Sequence, residues 1–372
     1  MRSLGIRVGL GLVTIAAAWG GTGCHAGGML TGTGAGSGTL TGQGGRGGHS
    51  VVVGAAGAGP GGAGGGFDET AGCRAMPAGR VAPEFLIVLD TSASMNDAIE
   101  GPCAGACGAR SKWSAAVSGL GSVLASTGAT VNWGLELLGG GSDACTAGDV
   151  TVAPAAGTTG AILDELARRS IGGNLTVTGN TPTRAAVSAA ALHFFRETYW
   201  ASPAILLLTD GAPDCGAGAA DPTASDTAGA VQAVSGALAG GVPTAVVGLG
   251  AFDAMTDDTW SALALAGGIP RSGSPVYYPV KDAAGLVAAV EQVIATVGTC
   301  IYTIPDPPGT SGATSRDPIA VLLDGNEIPE DFNAGWAYTD ASHTHVQIHG
   351  PACDAVRAGT ATMVAIAFRC LI

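Results

Sequence analysis

Phe85-Leu86-Ile87-Val88-Leu89-Asp90-Thr91-Ser92-Ala93-Ser94 decides the reading of this chain. An unbroken apolar run, with no polar residue at alternate positions, describes a strand buried on both faces, as in a parallel sheet covered by helices. The run ends directly in a carboxylate and two hydroxyls at alternate positions. Such oxygens, on the loop leaving a buried strand, form part of a cradle for a hard divalent cation. Gly179-Asn180-Thr181-Pro182-Thr183 and Leu206-Leu207-Leu208-Thr209-Asp210-Gly211 supply the fragments that would complete it.

Outward from this segment, short apolar runs alternate with Ala-rich helical stretches. Strands are expected at 84–89, 131–138, 204–209 and 244–249, with an edge strand at 276–280. Helices are expected at 112–126, 159–169, 182–199, 223–238, 257–266 and 281–297. In the last, Leu286, Val287, Val290, Val293, Ile294 and Val297 recur at helical spacing. The pattern predicts an α/β fold, a doubly wound, mainly parallel Rossmann-like sheet. Ligands of such sheets bind at the carboxyl ends of the strands, where Asp90 and Asp210 both fall. Thr181 precedes Pro182, which suits the first turn of a helix and sets the Thr181 hydroxyl at its mouth. Asp90, Ser92, Ser94, Thr181 and Asp210 are therefore the candidate metal ligands. Thr183 is the alternative hydroxyl to Thr181, which is favoured. Oxygen-only ligands select hard ions, Mg²⁺, Mn²⁺ or Ca²⁺, over Zn²⁺.

The remaining sequence divides around this domain. Arg2 and Arg7 precede a short apolar stretch, and Thr22-Gly23-Cys24 resembles a bacterial lipobox, with Gly21 standing where an aliphatic residue is usual. Residues 1–24 are expected to be a signal peptide and Cys24 a lipid anchor. The mature chain is then exported to the cell envelope, on the outer membrane or facing the periplasm; without lipidation it is secreted. Residues 25–80, Gly-rich throughout much of their length, are expected to form a flexible tether, and 81–299 the α/β domain. After Cys300 the prolines 305, 307 and 308 break the chain, and 317–372 reads as strands and turns. Leu323-Asp324-Gly325-Asn326 signals a hairpin, and Thr344, Val346 and Ile348 alternate with polar residues as in a half-buried strand. Residues 300–372 are expected to be a small C-terminal β module, stapled by disulfides. Cys73, Cys103, Cys107, Cys145, Cys215, Cys300, Cys353 and Cys370 make an even set for an oxidising compartment, hence four disulfides of open connectivity.

Composition narrows the function classes. The chain carries 16 basic and 29 acidic residues, with no Lys/Arg cluster, which argues against nucleic acid as a partner. No G-x-S-x-G elbow or phosphate-binding G-x-x-x-x-G-K loop occurs, and His193 lacks a matching nucleophile, so the chain is not read as an enzyme. His343, His345 and His349 offer a zinc site but are read as a polar strand face. Asp257 and Asp258, near Asp253, are read as complementing a helix dipole rather than binding calcium. Asp214 is read as a solvated loop carboxylate.

Asp90-x-Ser92-x-Ser94, then Thr181, then Asp210 within Thr-Asp-Gly resemble, in order and spacing, the metal-ion-dependent adhesion site (MIDAS) of von Willebrand factor type A (vWA) domains. The resemblance covers about residues 81–297. It implies a Mg²⁺-type ion and metal-dependent protein binding or adhesion, in which an Asp or Glu carboxylate of a protein partner completes the site. The whole chain also resembles exported bacterial type A lipoproteins with a cysteine-bearing extension. The alternative is a structural envelope scaffold whose ion only stabilises the fold. In adhesive members the last helix moves with the metal loop. Here helix 281–297 runs straight into Cys300, so a tethered helix and a fixed affinity are expected.

Overall fold

The computed structural model describes residues 75–104, 107–139, 145–196, 202–216, 223–250, 254–306, 319–339 and 341–368. The expected signal peptide, Cys24, residues 25–74 of the tether, Cys73 and Cys370 lie outside the described residues. Among the described residues no helix is long and apolar enough to cross a membrane.

The chain opens with β1 (Ala75–Pro77) and β2 (Gly79–Arg80), then enters β3 (Glu84–Asp90) and α1 (Lys112–Thr127). β4 (Asn132–Leu138), β5 (Val150–Ala155) and α2 (Thr159–Arg168) lead to a small hairpin, β6 (Ser170–Ile171) and β7 (Asn174–Leu175). α3 (Thr183–Arg196), β8 (Pro203–Thr209), α4 (Thr227–Ala239), β9 (Thr244–Leu249), α5 (Ala254–Gly267), β10 (Tyr278–Val280) and α6 (Ala283–Val297) follow. The last part holds β11 (Ile301–Thr303), β12 (Ile319–Leu323), β13 (Asn326–Ile328), β14 (Trp336–Tyr338), β15 (His345–Ile348), α7 (Gly350–Arg357) and β16 (Val364–Phe368).

The central sheet has six strands in the order β10-β9-β8-β3-β4-β5, all parallel except the edge strand β5. Its pleat sorts the apolar run: Phe85, Ile87 and Leu89 pack with α1, α2 and α6, while Leu86 and Val88 pack with α3, α4 and α5. Both faces are covered, so each of these side chains is fully buried, worth about 1.5–3 kcal/mol apiece. Close approach depends on two glycines. A Cβ at Gly119 would lie 2.8 Å from Leu286, where α1 meets α6, and one at Gly248 would lie 2.3 Å from the Trp260 ring. The fold is thus the doubly wound, mainly parallel α/β arrangement that the strand pattern predicts.

The β module contains two further four-stranded sheets, β1-β16-β12-β13 and β14-β15-β11-β2. They share one core, in which Tyr302, Trp336, Val346 and Ile348 from one sheet meet Val321, Val364 and Ile366 from the other. Asp324 and Gly325, at φ of 47° and 83°, make the expected turn between β12 and β13.

Besides the β6–β7 hairpin, three features differ from expectation. β1 and β2 fall within residues 25–80, expected as tether; they pair with β16 and β11, more than 200 residues away in sequence, and nothing local announces that pairing. β5 lies outside the expected strands; it carries Pro154, which an antiparallel edge strand tolerates. In the stretch read as strands and turns lies the helix α7, which begins at Gly350-Pro351, with proline in the first turn.

Candidate metal centre

The order of the central sheet reverses at β3. From there the chain builds outward through β4 and β5, then returns to lay β8 on the opposite side of β3 and continues to β9 and β10. Connections diverge at such a switch point and leave a crevice at the carboxyl ends of the two strands. Asp90 is the last residue of β3 and Asp210 directly follows β8.

In that crevice three oxygens meet. The Ser92 hydroxyl donates to Oδ1 of Asp210 at 3.1 Å and the Ser94 hydroxyl donates to the same atom at 3.0 Å. The two hydroxyls are 3.0 Å apart. Octahedral ligands about 2.1 Å from a hard cation are about 3.0 Å from one another, so this triangle has the edge length of one face of such a shell. The donor set, all oxygen and including a carboxylate, fits the same ion class.

Asp90 adjoins the triangle through the Ser92 and Asp210 backbone N–H groups and is fully buried. Its Oδ1 accepts the Ser92 N–H at 2.7 Å and its Oδ2 accepts the Thr209 hydroxyl at 2.6 Å. Burial, with the Asp210 carboxylate beside it, holds the Asp90 carboxyl well above the ordinary carboxylate range. A cation here would favour its ionised form. With both oxygens engaged by its own loops, Asp90 is arranged to shape the Ser92 turn and to act at one remove.

Thr181 stands alongside. Its hydroxyl oxygen is 3.9 Å from the position of a Cβ built on Gly211, next to Asp210. Asp214 pins it, accepting the Thr181 N–H at 2.6 Å while the Asp214 N–H donates to the Thr181 carbonyl at 3.1 Å. The Thr183 hydroxyl is turned to the Thr181 carbonyl, at 3.4 Å. Asp214, read from sequence as a solvated carboxylate, is therefore part of the frame, and burial raises its pKa.

The loops are tied from outside the site. The Gly179 N–H donates to the Thr91 carbonyl at 3.0 Å, and the Asn96 amide bonds both the carbonyl and N–H of Leu175, at 3.0 and 2.6 Å. Trp260 donates its indole N–H to the Gly211 carbonyl at 3.0 Å. The Cys145–Cys215 disulfide joins the loop before β5 to the loop after β8. Sequence reasoning missed Asn96, Thr209 and Lys112, whose ammonium is 2.8 Å from Oδ2 of Asp210. Thr209 carried a signal, standing beside Asp210 at a strand end; Lys112 carried none beyond its place at a helix start.

Elsewhere, Cys103–Cys107 and Cys300–Cys353 are also bonded, so three of the expected four disulfides lie among the described residues. His343 stacks on Tyr338 at 3.8 Å, His349 packs against Phe332 at 4.7 Å, and His345 bonds the Thr344 hydroxyl at 2.9 Å. Asp257, in the first turn of α5, accepts the Tyr277 hydroxyl.

No family model and no curated protein matches the chain. Among solved structures, the pilus adhesin SpaC from Lactobacillus rhamnosus GG is similar over 78% of this chain and 40% of its own, at 16% identity and a TM-score of 0.42. The chain thus spans about two fifths of that protein's length. The manganese-loaded Plasmodium vivax TRAP protein is similar over 60% of this chain and 77% of its own, at 17% identity and a TM-score of 0.42. For the SpRpn10 VWA domain the shares are 57% and 95%, with 14% identity and a TM-score of 0.38. The fold assignment rests on the strand order and helix placement described above.

Proposed function

We propose that this chain binds a divalent cation, Mg²⁺ foremost, at the carboxyl edge of β3 and β8, and uses it to hold a protein partner at the cell envelope. The observation that carries the reading is the triangle of Ser92, Ser94 and Asp210 oxygens, 3.0–3.1 Å from one another at the switch point of the sheet. Ser92, Ser94 and Asp210 hold the ion directly, Thr181 adds a hydroxyl, and Asp90 supports it at one remove. The bound ion supplies a concentrated positive charge that attracts an Asp or Glu carboxylate of the partner. The chain's own residues bind and orient: Asp90 and Thr209 hold the Ser92 turn, and Asp214 holds Thr181. In this reading the chain is a binding protein rather than an enzyme, exported and lipid-anchored through Cys24.

Titration calorimetry with Mg²⁺ and Mn²⁺ tests the reading. Saturable binding by the wild type, lost in Ser92→Ala/Ser94→Ala while the fold is retained, is the expected result. Absence of binding by folded wild-type protein would refute it. The internal bonding of Asp90 on both oxygens favours a second reading, a scaffold whose ion only stabilises the loops. Asp90→Ala separates the two: loss of ion binding with an intact sheet supports the binding role, whereas gross unfolding marks the carboxylate as structural.

A further inference from the structure

Lys112 opens α1 in a fixed position. Its N–H donates to the Asp97 carbonyl at 2.8 Å, and Ser111 just before it caps the helix by accepting the Ser114 N–H at 2.9 Å. The side chain is only 12% exposed, and its ammonium is 2.8 Å from Oδ2 of an Asp210 side chain with no exposure. The two oxygens of Asp210 are therefore divided. Oδ1 takes the Ser92 and Ser94 hydroxyls, and Oδ2 takes Lys112.

This division matters for charge. Two ionised carboxylates alone would balance a divalent ion and leave a neutral site with no electrostatic preference for an anion. A largely buried ammonium on Oδ2 offsets one of them. The loaded site then carries one net positive charge, in a crevice where screening by water is weak.

We propose that Lys112 sets the charge of the site: it lowers divalent-cation affinity and raises the affinity of the loaded site for a carboxylate ligand. The proposal rests on the cation reading given above and adds a residue to it. A purely positioning role, in which Lys112 orients Asp210, makes the opposite prediction for the cation, because releasing Asp210 would weaken binding.

Mn²⁺ titration of wild type, Lys112→Met and Lys112→Arg, each checked for folding by thermal melting, decides between them. Lys112→Met is expected to bind Mn²⁺ about tenfold tighter or more. Lys112→Arg, which keeps the charge, is expected to return to the wild-type value. Acetate serves as the carboxylate probe, read through water-proton relaxation by protein-bound Mn²⁺. The acetate concentration for half-effect is expected to rise several-fold in Lys112→Met. Unchanged or weaker Mn²⁺ binding by folded Lys112→Met, with wild-type binding intact, overturns the Lys112 proposal alone. No Mn²⁺ binding by any of the three folded proteins overturns the cation reading and this proposal with it.

Discussion

In the α/β domain every strand of the central sheet lies between residues 84 and 280, and its most distant partners in sequence, β3 and β8, pair Glu84 with Pro203. In the β module, Ala75 pairs with Ala367 and Arg80 with Tyr302, so strands from before the domain close sheets built from after it. The α/β domain is thus threaded between two parts of one sandwich. Its entry and exit run side by side, with the Val81 N–H donating to the Ile301 carbonyl at 2.9 Å. One region makes a site from loops at a sheet edge. The other holds the domain's two ends together, far along the chain from those loops.

Four outcomes would break or sharpen that comparison. The largest effect is expected from Trp336→Ala, which empties the centre of the sandwich, where Trp336 is 3% exposed. It should cost about 3–5 kcal/mol of sandwich stability in urea unfolding. Mn²⁺ affinity measured below the transition should stay at the wild-type value. A parallel loss of ion binding would show that the two regions act as one.

Replacing Cys300 and Cys353 by Ala should cost about 2–4 kcal/mol. That disulfide, with the Arg357 guanidinium bonded to the Gly298 carbonyl at 3.1 Å and Arg80 bonded to the Thr299 carbonyl at 2.7 Å, anchors the exit of α6. Hydrogen exchange in the last turn of α6 should quicken in the variant. Helix displacement on ion and ligand binding with the disulfide intact would contradict a fixed-affinity site.

A pH effect should arise on the α/β side. Glu136 in β4 is fully buried, and neither of its carboxylate oxygens finds a hydrogen-bond partner among the described residues. Burial, then the nearby Asp149, pushes its carboxyl to about 9. The folded form therefore holds a proton that the unfolded chain releases above about pH 4.5, and stability falls as pH rises from there to about 9. Burial raises Glu84 to about 7 and adds to the lower part of that slope. Glu136→Met should stabilise by about 2–3 kcal/mol at neutral pH and flatten the slope between about pH 5 and 9. An unchanged slope would mean that Glu136 is solvated.

The smallest effect is expected at the β12–β13 turn. Gly325→Ala, at φ of 83°, should cost about 1 kcal/mol. The loss should appear in the sandwich transition only, because Asp324 ties this turn to the Met363 N–H at 2.8 Å, next to β16.

How much was legible follows from the range of the forces involved. The strands 84–89, 204–209 and 244–249 were readable because burial on both faces leaves an uninterrupted apolar run. The position of Ser92, Ser94 and Asp210 at the carboxyl edge was readable because each lies within a few residues of the end of an apolar run. Asp214 was misread because its partner, the Thr181 N–H, lies 33 residues away. β1 was invisible because three residues, Ala75–Pro77, carry no period of their own.

By itself the sequence determined the class of fold and placed Asp90 and Asp210 at the carboxyl edge of the sheet. These depend on periodicity and on residues adjacent to strand ends, which are local. Only the tertiary structure decided that Ser92, Ser94 and Asp210 converge within 3.1 Å, that Lys112 takes Oδ2 of Asp210, and that the strands within residues 75–80 pair in the β module. Each of those is a contact between distant segments, set by packing and strand pairing rather than by neighbours in the chain.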